Sequence, residues 1–268
     1  MMFKPYIYTI TLWLLSTQSF AEKTAITTIN LTNGEWPPYL GQLLPHHGFA
    51  SHIVSKAFSS VGIKVHYSFF PWPRAYHYAL AGTGINQTWH GTLVWVYTSD
   101  RANHFIYSDP VVKDEEVLFH LKNTPLQGWQ HVDDLKGQVI GGTRHTAYPF
   151  FENAEQKGIL RLERAGNYFD LFNRLLGKRI DAIPQVKQVG QYYLRTQYTP
   201  QQNALITSAP KVIQTREYSL MINKKLPGNK QLIKQFNKGL KIIKQNGTYS
   251  RLYEQLTSGF YDTQRQSN

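Results

Sequence analysis

The sequence predicts an α/β fold built on doubly wound, mainly parallel sheets. Three observations carry this prediction. Strand-like and helix-like segments alternate from Ala25 onward, and glycine or proline punctuates the joins. After Asp109-Pro110 the rhythm restarts, as it would at the opening of a second sheet. In such folds the loops at the carboxyl ends of the strands form the site.

The elements follow in order. Residues 26–31 read as a strand, and Gly34-Glu35-Trp36-Pro37-Pro38-Tyr39 as a stiff aromatic turn. Residues 49–61 have helical spacing and stop at Gly62. Residues 64–70 form a strand with Val65, Tyr67 and Phe69 on one face. Pro71-Trp72-Pro73-Arg74 opens a helix that runs to Gly82, because proline suits a first turn. Residues 92–96 are the next strand, followed by a polar turn carrying Arg101 and a short strand ending in Ser108-Asp109-Pro110.

In the second half, residues 117–121 and 138–142 read as strands with a short helix, 132–135, between them. Residues 146–157 and 168–176 are helical, 180–183 a strand and 185–198 a helix. Residues 218–223 return as a strand before helices at 230–245 and 248–256. In the penultimate helix Leu232, Ile233, Phe236, Leu240 and Ile243 recur at the spacing of a packed stripe.

Composition bounds the function. The 268 residues hold 29 Lys+Arg against 17 Asp+Glu, a formal charge of +12. Nucleic-acid or anionic-membrane contact is compatible with that balance. No zinc-finger, RNA-binding or helix-turn-helix signature accompanies it, however. The densest basic group (Lys224, Lys225, Lys230, Lys234, Lys238, Lys241, Lys244) has solvent-face spacing, so it reads as a solvated face that also speeds encounter with anionic solutes. With no cysteine, disulfides and lipid attachment through cysteine are excluded. Ten histidines include His46, His47 and His52, but no metal-binding spacing organises them, and no phosphate loop or Gly-x-Ser-x-Gly appears. No metal or cofactor is expected.

The chain opens with Lys4, an apolar run to Leu15, and Ser19-Phe20-Ala21. That is the pattern of a secretory signal peptide over 1–21, too short for a membrane anchor. The expected location is the periplasm, without stable membrane insertion. A polar tail closes the chain at 262–268.

The candidate site residues are aromatic and basic. The planar fork of Arg101 can hold a carboxylate by two parallel hydrogen bonds, although on spacing alone the reading as an ordinary surface arginine in a turn wins. Trp36, Tyr39, Trp72 and Trp95 recur at strand-to-helix turns, as walls of a small-solute cleft or as plugs of the core. Arg74 is a donor to a ligand or a surface arginine at a helix start. Arg144, Thr146 and Tyr148 lie in a strand-to-helix loop whose helix N-terminus suits an anion; Thr146 either caps that helix or meets the ligand. Glu35 is a carboxylate beside Trp36.

The segment from Gly91 to Pro110 resembles the strand, Thr-x-x-Arg turn and Phe-Ser-Asp-Pro stretch of the family 3 periplasmic solute-binding proteins. Pro71-Trp72-Pro73-Arg74-Ala75 resembles a "PWxRA" group. Asp133 to Gly141 is similar to the "DLKGKxVGV" opening of that family's second lobe, Gly177 to Ala182 to its "GRxDA" segment, and Asn246-Gly247-Thr248-Tyr249 to its "DGTYxKIY" ending. The order of these fragments spans almost the whole chain. The resemblance implies two doubly wound lobes joined by two crossover strands near 114–117 and 215–218, the type 2 periplasmic binding protein fold. One lobe would comprise 22–113 plus 218–261, the other 114–217. It also implies a monomer that captures a small carboxylate-bearing, amino-acid-like solute between the lobes, closes by a hinge and delivers the solute to an ABC importer's membrane subunits.

On that resemblance Arg101 is the carboxylate anchor. Amino-acid-binding members place an aspartate for the ligand's ammonium where this chain has Val186, so half of the usual grip is replaced. Either Glu35 or Glu217 substitutes, or the ligand lacks an ammonium, or an aromatic box holds a cation. Two rival classes share the fold. A dehydratase-like enzyme would draw its acid or base from Glu35, Glu217 or His145, and a ligand presenter would serve a separate sensory receptor. The expectation is a binding protein rather than an enzyme.

Overall fold

A computed structural model describes residues 26–144 and 146–262. The expected signal peptide, His145 and the tail beyond Asp262 lie outside the described residues.

The first β1 strand, Thr28–Asn33, buries Ile29 and Leu31 and pairs in parallel with β2, Lys64–Phe69, in register from Thr28↔Lys64 to Asn33↔Phe69. Helix α1, Phe49–Ser59, makes the crossover, which parallel pairing requires. Helix α2, Trp72–Ala81, ends at Gly82, whose left-handed φ of 74° suits glycine. A two-residue hairpin, β3 Thr83–Gly84 with β4 Gln87–Thr88, leads to β5, Gly91–Trp95, on the other side of β1. Then come α3, Ser99–His104, and β6, Phe105–Tyr107.

β7, Val112–Leu121, carries the chain into the second lobe. There β8 Val139–Thr143, α4 Pro149–Gln156, β9 Arg161–Ala165, α5 Tyr168–Leu176, β10 Ala182–Val186, α6 Lys187–Gln197 and α7 Pro200–Ala204 follow. The 18-residue β11, Ile206–Asn223, returns to the first lobe, which α8 Asn229–Gln245 and α9 Thr248–Thr257 complete. The strand order is β2-β1-β5-β11-β7-β10-β8-β9, with β6 on β11. β11 pairs with β5 and β6 at its carboxyl end and with β7 before that. The two crossing strands lie antiparallel, Lys113↔Glu217 and Asp114↔Arg216 among their pairs.

Each lobe has its own core. Ile29, Leu31, Phe49, Phe58, Phe236 and Leu240 fill the first; Phe119, Leu171, Phe172 and Ile183 belong to the second. Side chains of this size stabilise the fold by about 1.5–3 kcal/mol each when buried. The arrangement is the two-lobed, doubly wound α/β fold with crossover strands.

Several local expectations change. The polar turn around Arg101 is a short helix, capped by Thr98, whose Oγ1 accepts the Arg101 N–H at 3.3 Å. The helix expected from 146 begins at Pro149, because a residue before proline is pushed out of the helical region; Thr146 is therefore not its cap. Gln185 and Val186 continue β10 by pairing with Val117 and Glu116, so α6 starts only at Lys187. Among the elements not expected are the β3–β4 hairpin, β9 and α7. β9 is an edge strand whose charged Arg161, Glu163 and Arg164 hide its alternation, a usual device for edges. α7 carries a Thr199/Gln202 capping box, a legible start signal. The tail residue Asp262 is fixed by Arg195 of α6, with bonds of 2.6 and 3.1 Å.

Candidate functional site

In the first lobe the loops after β1, β2 and β5 converge. Trp72 stands at the start of α2, and its indole N–H donates to the Glu35 carbonyl at 3.3 Å. A Cβ on Gly34 would lie 2.3 Å from that indole, so only glycine lets the ring lie against the backbone. Trp95 meets Trp72 edge-on at 5.4 Å and Tyr76 at 5.3 Å, and donates to Thr92 Oγ1 at 3.2 Å. A β-bulge opposite Leu220, with Val94 at a φ of 54°, turns the end of β5 so that Trp95 faces this cluster.

Arg101 completes it. Its guanidinium lies over the Trp95 ring at 4.7 Å, and one nitrogen donates to the Val96 carbonyl at 3.3 Å. A ring face and a single carbonyl orient the fork and leave other N–H donors for a further acceptor. Trp36 is half-buried and packs on Tyr39 at 4.8 Å and on Tyr218 at 4.9 Å. Tyr39 itself has no exposed surface, so it supports Trp36 from behind and presents no wall to a solute. Glu35 is exposed and accepts the Gln42 N–H at 3.0 Å, beside a hollow of about 360 Å³ that Trp72 also lines. Arg74 is exposed.

The second lobe offers a hydroxyl-rich loop between β8 and α4. Thr143 Oγ1 bonds to Thr146 Oγ1 at 2.6 Å, and the Thr143 N–H donates to the Tyr148 hydroxyl at 3.1 Å. Tyr148 is buried, whereas Arg144 and Thr146 are exposed. Arg164, from the unexpected β9, donates to the carbonyls of Thr143 and Thr146 at 2.9 and 2.7 Å and lies over the Tyr148 ring at 5.1 Å. Its side chain, from a strand the sequence did not reveal, fixes the loop. Tyr168 adjoins Tyr148, and burial with that neighbour pushes its phenol up.

Val186 is buried in the first lobe's core with Val189, and its side chain offers no acceptor. Glu217 is exposed and paired with Lys113 at 3.5 Å. His145 lies outside the described residues. A cavity of about 550 Å³ is lined by residues of the crossover strands, Asp114 among them, and by Gln188, Tyr249 and Tyr253. Among the described residues no cluster of three or more His, Cys, Asp or Glu side chains is placed to hold a metal, and no helix is long and apolar enough to cross a membrane.

Two lobes on crossover strands, with aromatic and arginine side chains at their strand ends, define a type 2 binding-protein scaffold. Residues 31–258 match the model of the bacterial extracellular solute-binding proteins, family 3, and the chain belongs to that family. It is similar to the ABC transporter arginine-binding protein 1 of Escherichia coli (strain K12), at 27% identity over 162 residues. That match covers 59% of this chain and 61% of the relative. The second substrate-binding domain of a putative amino acid ABC transporter from Streptococcus pneumoniae has the same fold, with a TM-score of 0.67 and 17% identity over 88% of this chain and all of that one. Substrate-binding domain 2 of GlnP from Lactococcus lactis, in its open conformation, gives 0.67 at 16% identity, covering 86% and 95%. These proteins bind solutes, and solute binding is the function the family supports here.

Proposed function

We propose that the chain captures a small polar solute bearing a carboxylate, amino-acid-like in size, in the cleft between its lobes, and hands it to the membrane subunits of an ABC importer from the periplasm. The lobes would comprise 22–113 plus 218–261 and 114–217, after removal of the signal peptide. The observation that carries this reading is the Arg101 guanidinium, laid over Trp95 with donors to spare at the mouth of β5. A fork oriented in this way suits a bidentate carboxylate contact.

Trp36, Trp72 and Trp95 would form apolar walls, with Arg74 as a secondary donor and Glu35 at the rim. From the second lobe, Arg144, Thr146 and, through its support of Thr143, Tyr148 would meet the solute as the lobes close. The named relatives' arginine and amino-acid ligands favour the same solute class. Val186 argues against the ammonium grip usual in the family, so the solute either lacks an ammonium or is held at that end by rings and Glu35. No chemical step is required. Closure follows because the solute touches both lobes only in the closed state, which shifts the population toward it.

A thermal-shift screen of amino acids, small di-acids, betaines and polyamines tests the reading. A ligand at one hundred times its Kd stabilises by about 2.7 kcal/mol. A carboxylate-bearing hit that Arg101→Ala abolishes supports it; a hit that binds the Arg101→Ala variant equally well overturns the anchor.

A further inference from the structure

The outer face of α8 carries a row of lysines, interrupted by Asn237, whose side-chain oxygen accepts the Asp109 N–H at 3.1 Å. The 17 residues of α8 contain five lysines and no acid. At about 100° per residue, Lys230, Lys234, Lys238, Lys241 and Lys244 fall within an arc of about 120°, a row roughly 21 Å long. The opposite face, with Leu232, Phe236 and Leu240, is buried against the first lobe. The helix is thereby held with its lysines outward, and all five are exposed.

Nothing in the fold neutralises this row. No ion pair among the described residues includes any of these lysines. Asp109 shares a shallow groove with Lys241 and Lys244 without reaching ion-pair distance, and Lys244 only contacts the Pro110 carbonyl at 3.4 Å and the Tyr249 ring at 5.5 Å. Like charges at helical i, i+4 spacing oppose the helix, and Lys230 in its first turn opposes the helix dipole. Apart from Lys244, which suits the last turn and meets Pro110 and Tyr249, the isolated fold gains little from this arrangement, whereas a negative surface would offset its cost.

We propose that this face docks the protein on an anionic phospholipid bilayer. The row is made of lysines, mobile point charges without the fixed fork that reads a specific carboxylate or phosphate. It is straight and carries no exposed ring on which nucleic-acid bases could stack. Four to eight clustered lysines on a helix are the footprint of electrostatic lipid binding, each worth about 1 kcal/mol, or roughly fivefold in partitioning. Docking here presents the first lobe to the membrane and leaves the second free to move. The inference does not depend on the identity of the solute.

Sedimentation of the purified protein with large unilamellar vesicles tests it. Vesicles of phosphatidylglycerol and phosphatidylcholine are compared with phosphatidylcholine alone, at low and high salt. Wild type is expected to bind the anionic vesicles only, and to be released by salt. Lys230→Gln with Lys234→Gln, Lys238→Gln and Lys241→Gln should lower partitioning at least tenfold. The matching lysine-to-arginine variant should keep it, as should glutamine at Lys122, Lys136, Lys157 and Lys211 in the second lobe. No binding by wild type, equal binding to neutral vesicles, or equal loss from both glutamine variants overturns the proposal. The thermal-shift response to a cleft ligand, read in parallel, reports on the cleft independently.

Discussion

The phenol of Tyr39 donates its proton to the carboxylate of Asp114, and this bond holds the first cleft loop to a strand that crosses between lobes. Asp114 also accepts the N–H groups of Glu115 at 2.7 Å and of Gln188, at the start of α6, at 3.3 Å. One buried carboxylate thus ties together the loop behind Trp36, the crossover strand and a helix of the second lobe. Burial pushes the Asp114 carboxyl up, and its three donors hold it back.

Tyr39→Phe removes one donor from that buried charge, so a loss of about 1–3 kcal/mol is expected at neutral pH. The sign with pH follows. A carboxyl raised in the fold binds protons more tightly there than in the unfolded chain, so its ionisation destabilises the fold as pH rises above 3.8. The deficit of Tyr39→Phe should therefore be largest at pH 7 and shrink as falling pH protonates Asp114, which its raised pKa places above the ordinary 3.8. Urea unfolding of wild type, Tyr39→Phe, Asp114→Asn and the double variant measures it; a deficit unchanged by Asp114→Asn would refute the coupling.

Arg101 gives a prediction about binding. Losing hydrogen bonds to a charged group costs about 1.5–3 kcal/mol, which is roughly 10- to 150-fold in Kd. Arg101→Ala should weaken a carboxylate ligand by that factor, and Arg101→Lys should recover only part of it because an ammonium lacks the fork. Trp95→Ala should also weaken binding, since it removes the ring that orients the guanidinium at 4.7 Å. Titration calorimetry separates the three; equal affinity of Arg101→Lys and wild type would argue against bidentate capture.

The fold was legible because the alternation of elements survives in local patterns. The stop at Gly82 and the stripe of α8 are each set by a few neighbouring residues. What escaped depends on contacts distant in sequence. Arg164 supports the 143–146 loop, yet it comes from β9, an edge strand that hides its period behind charges. Tyr39 looked like a wall because a proline-rich turn precedes it, and only the fold places its hydroxyl on Asp114, 75 positions away. The bulge that turns Trp95 needs the partner strand β11 to define it. The expectation that Arg101 anchors a carboxylate, and that Val186 stands where relatives place an aspartate, came from the family resemblance and not from spacing.

His52 gives a prediction about acid stability. Its ring bonds to the Tyr261 hydroxyl at 2.9 Å and stacks on His46 at 3.8 Å. Burial first, and then the nearby His46 and Lys56, push its pKa down to about 4 from 6.5. The unfolded chain therefore binds the proton more readily between these values, so stability should fall as pH drops from 6.5 toward 4. A loss of roughly 1–2 kcal/mol is expected, after discounting for partial contact with solvent. His52→Gln can still bond Tyr261 and should flatten this part of the pH profile. An unchanged slope in that variant would assign the acid loss to other groups.

The close approach of α1 and α8 yields the last prediction. A Cβ on Gly239 would lie 1.9 Å from the Ala57 carbonyl oxygen and 2.7 Å from its carbon, so α8 can pack on α1 only with glycine there. Alanine improves helix propensity by about 1 kcal/mol. Against that, backbone offers no rotamer by which to yield, and forced overpacking of a core costs typically about 1–3 kcal/mol or more. Steric displacement of a whole helix wins over a local propensity, because Leu232, Phe236 and Leu240 must move with it. Gly239→Ala should therefore lower the Tm by several degrees, at roughly 2–4 °C per kcal/mol for a chain of this size. Gly128→Ala is the matched control, since a Cβ there meets nothing within 4 Å. Thermal unfolding followed by circular dichroism compares them; an unaltered Tm in Gly239→Ala would mean that the α1–α8 contact is looser than the backbone geometry requires.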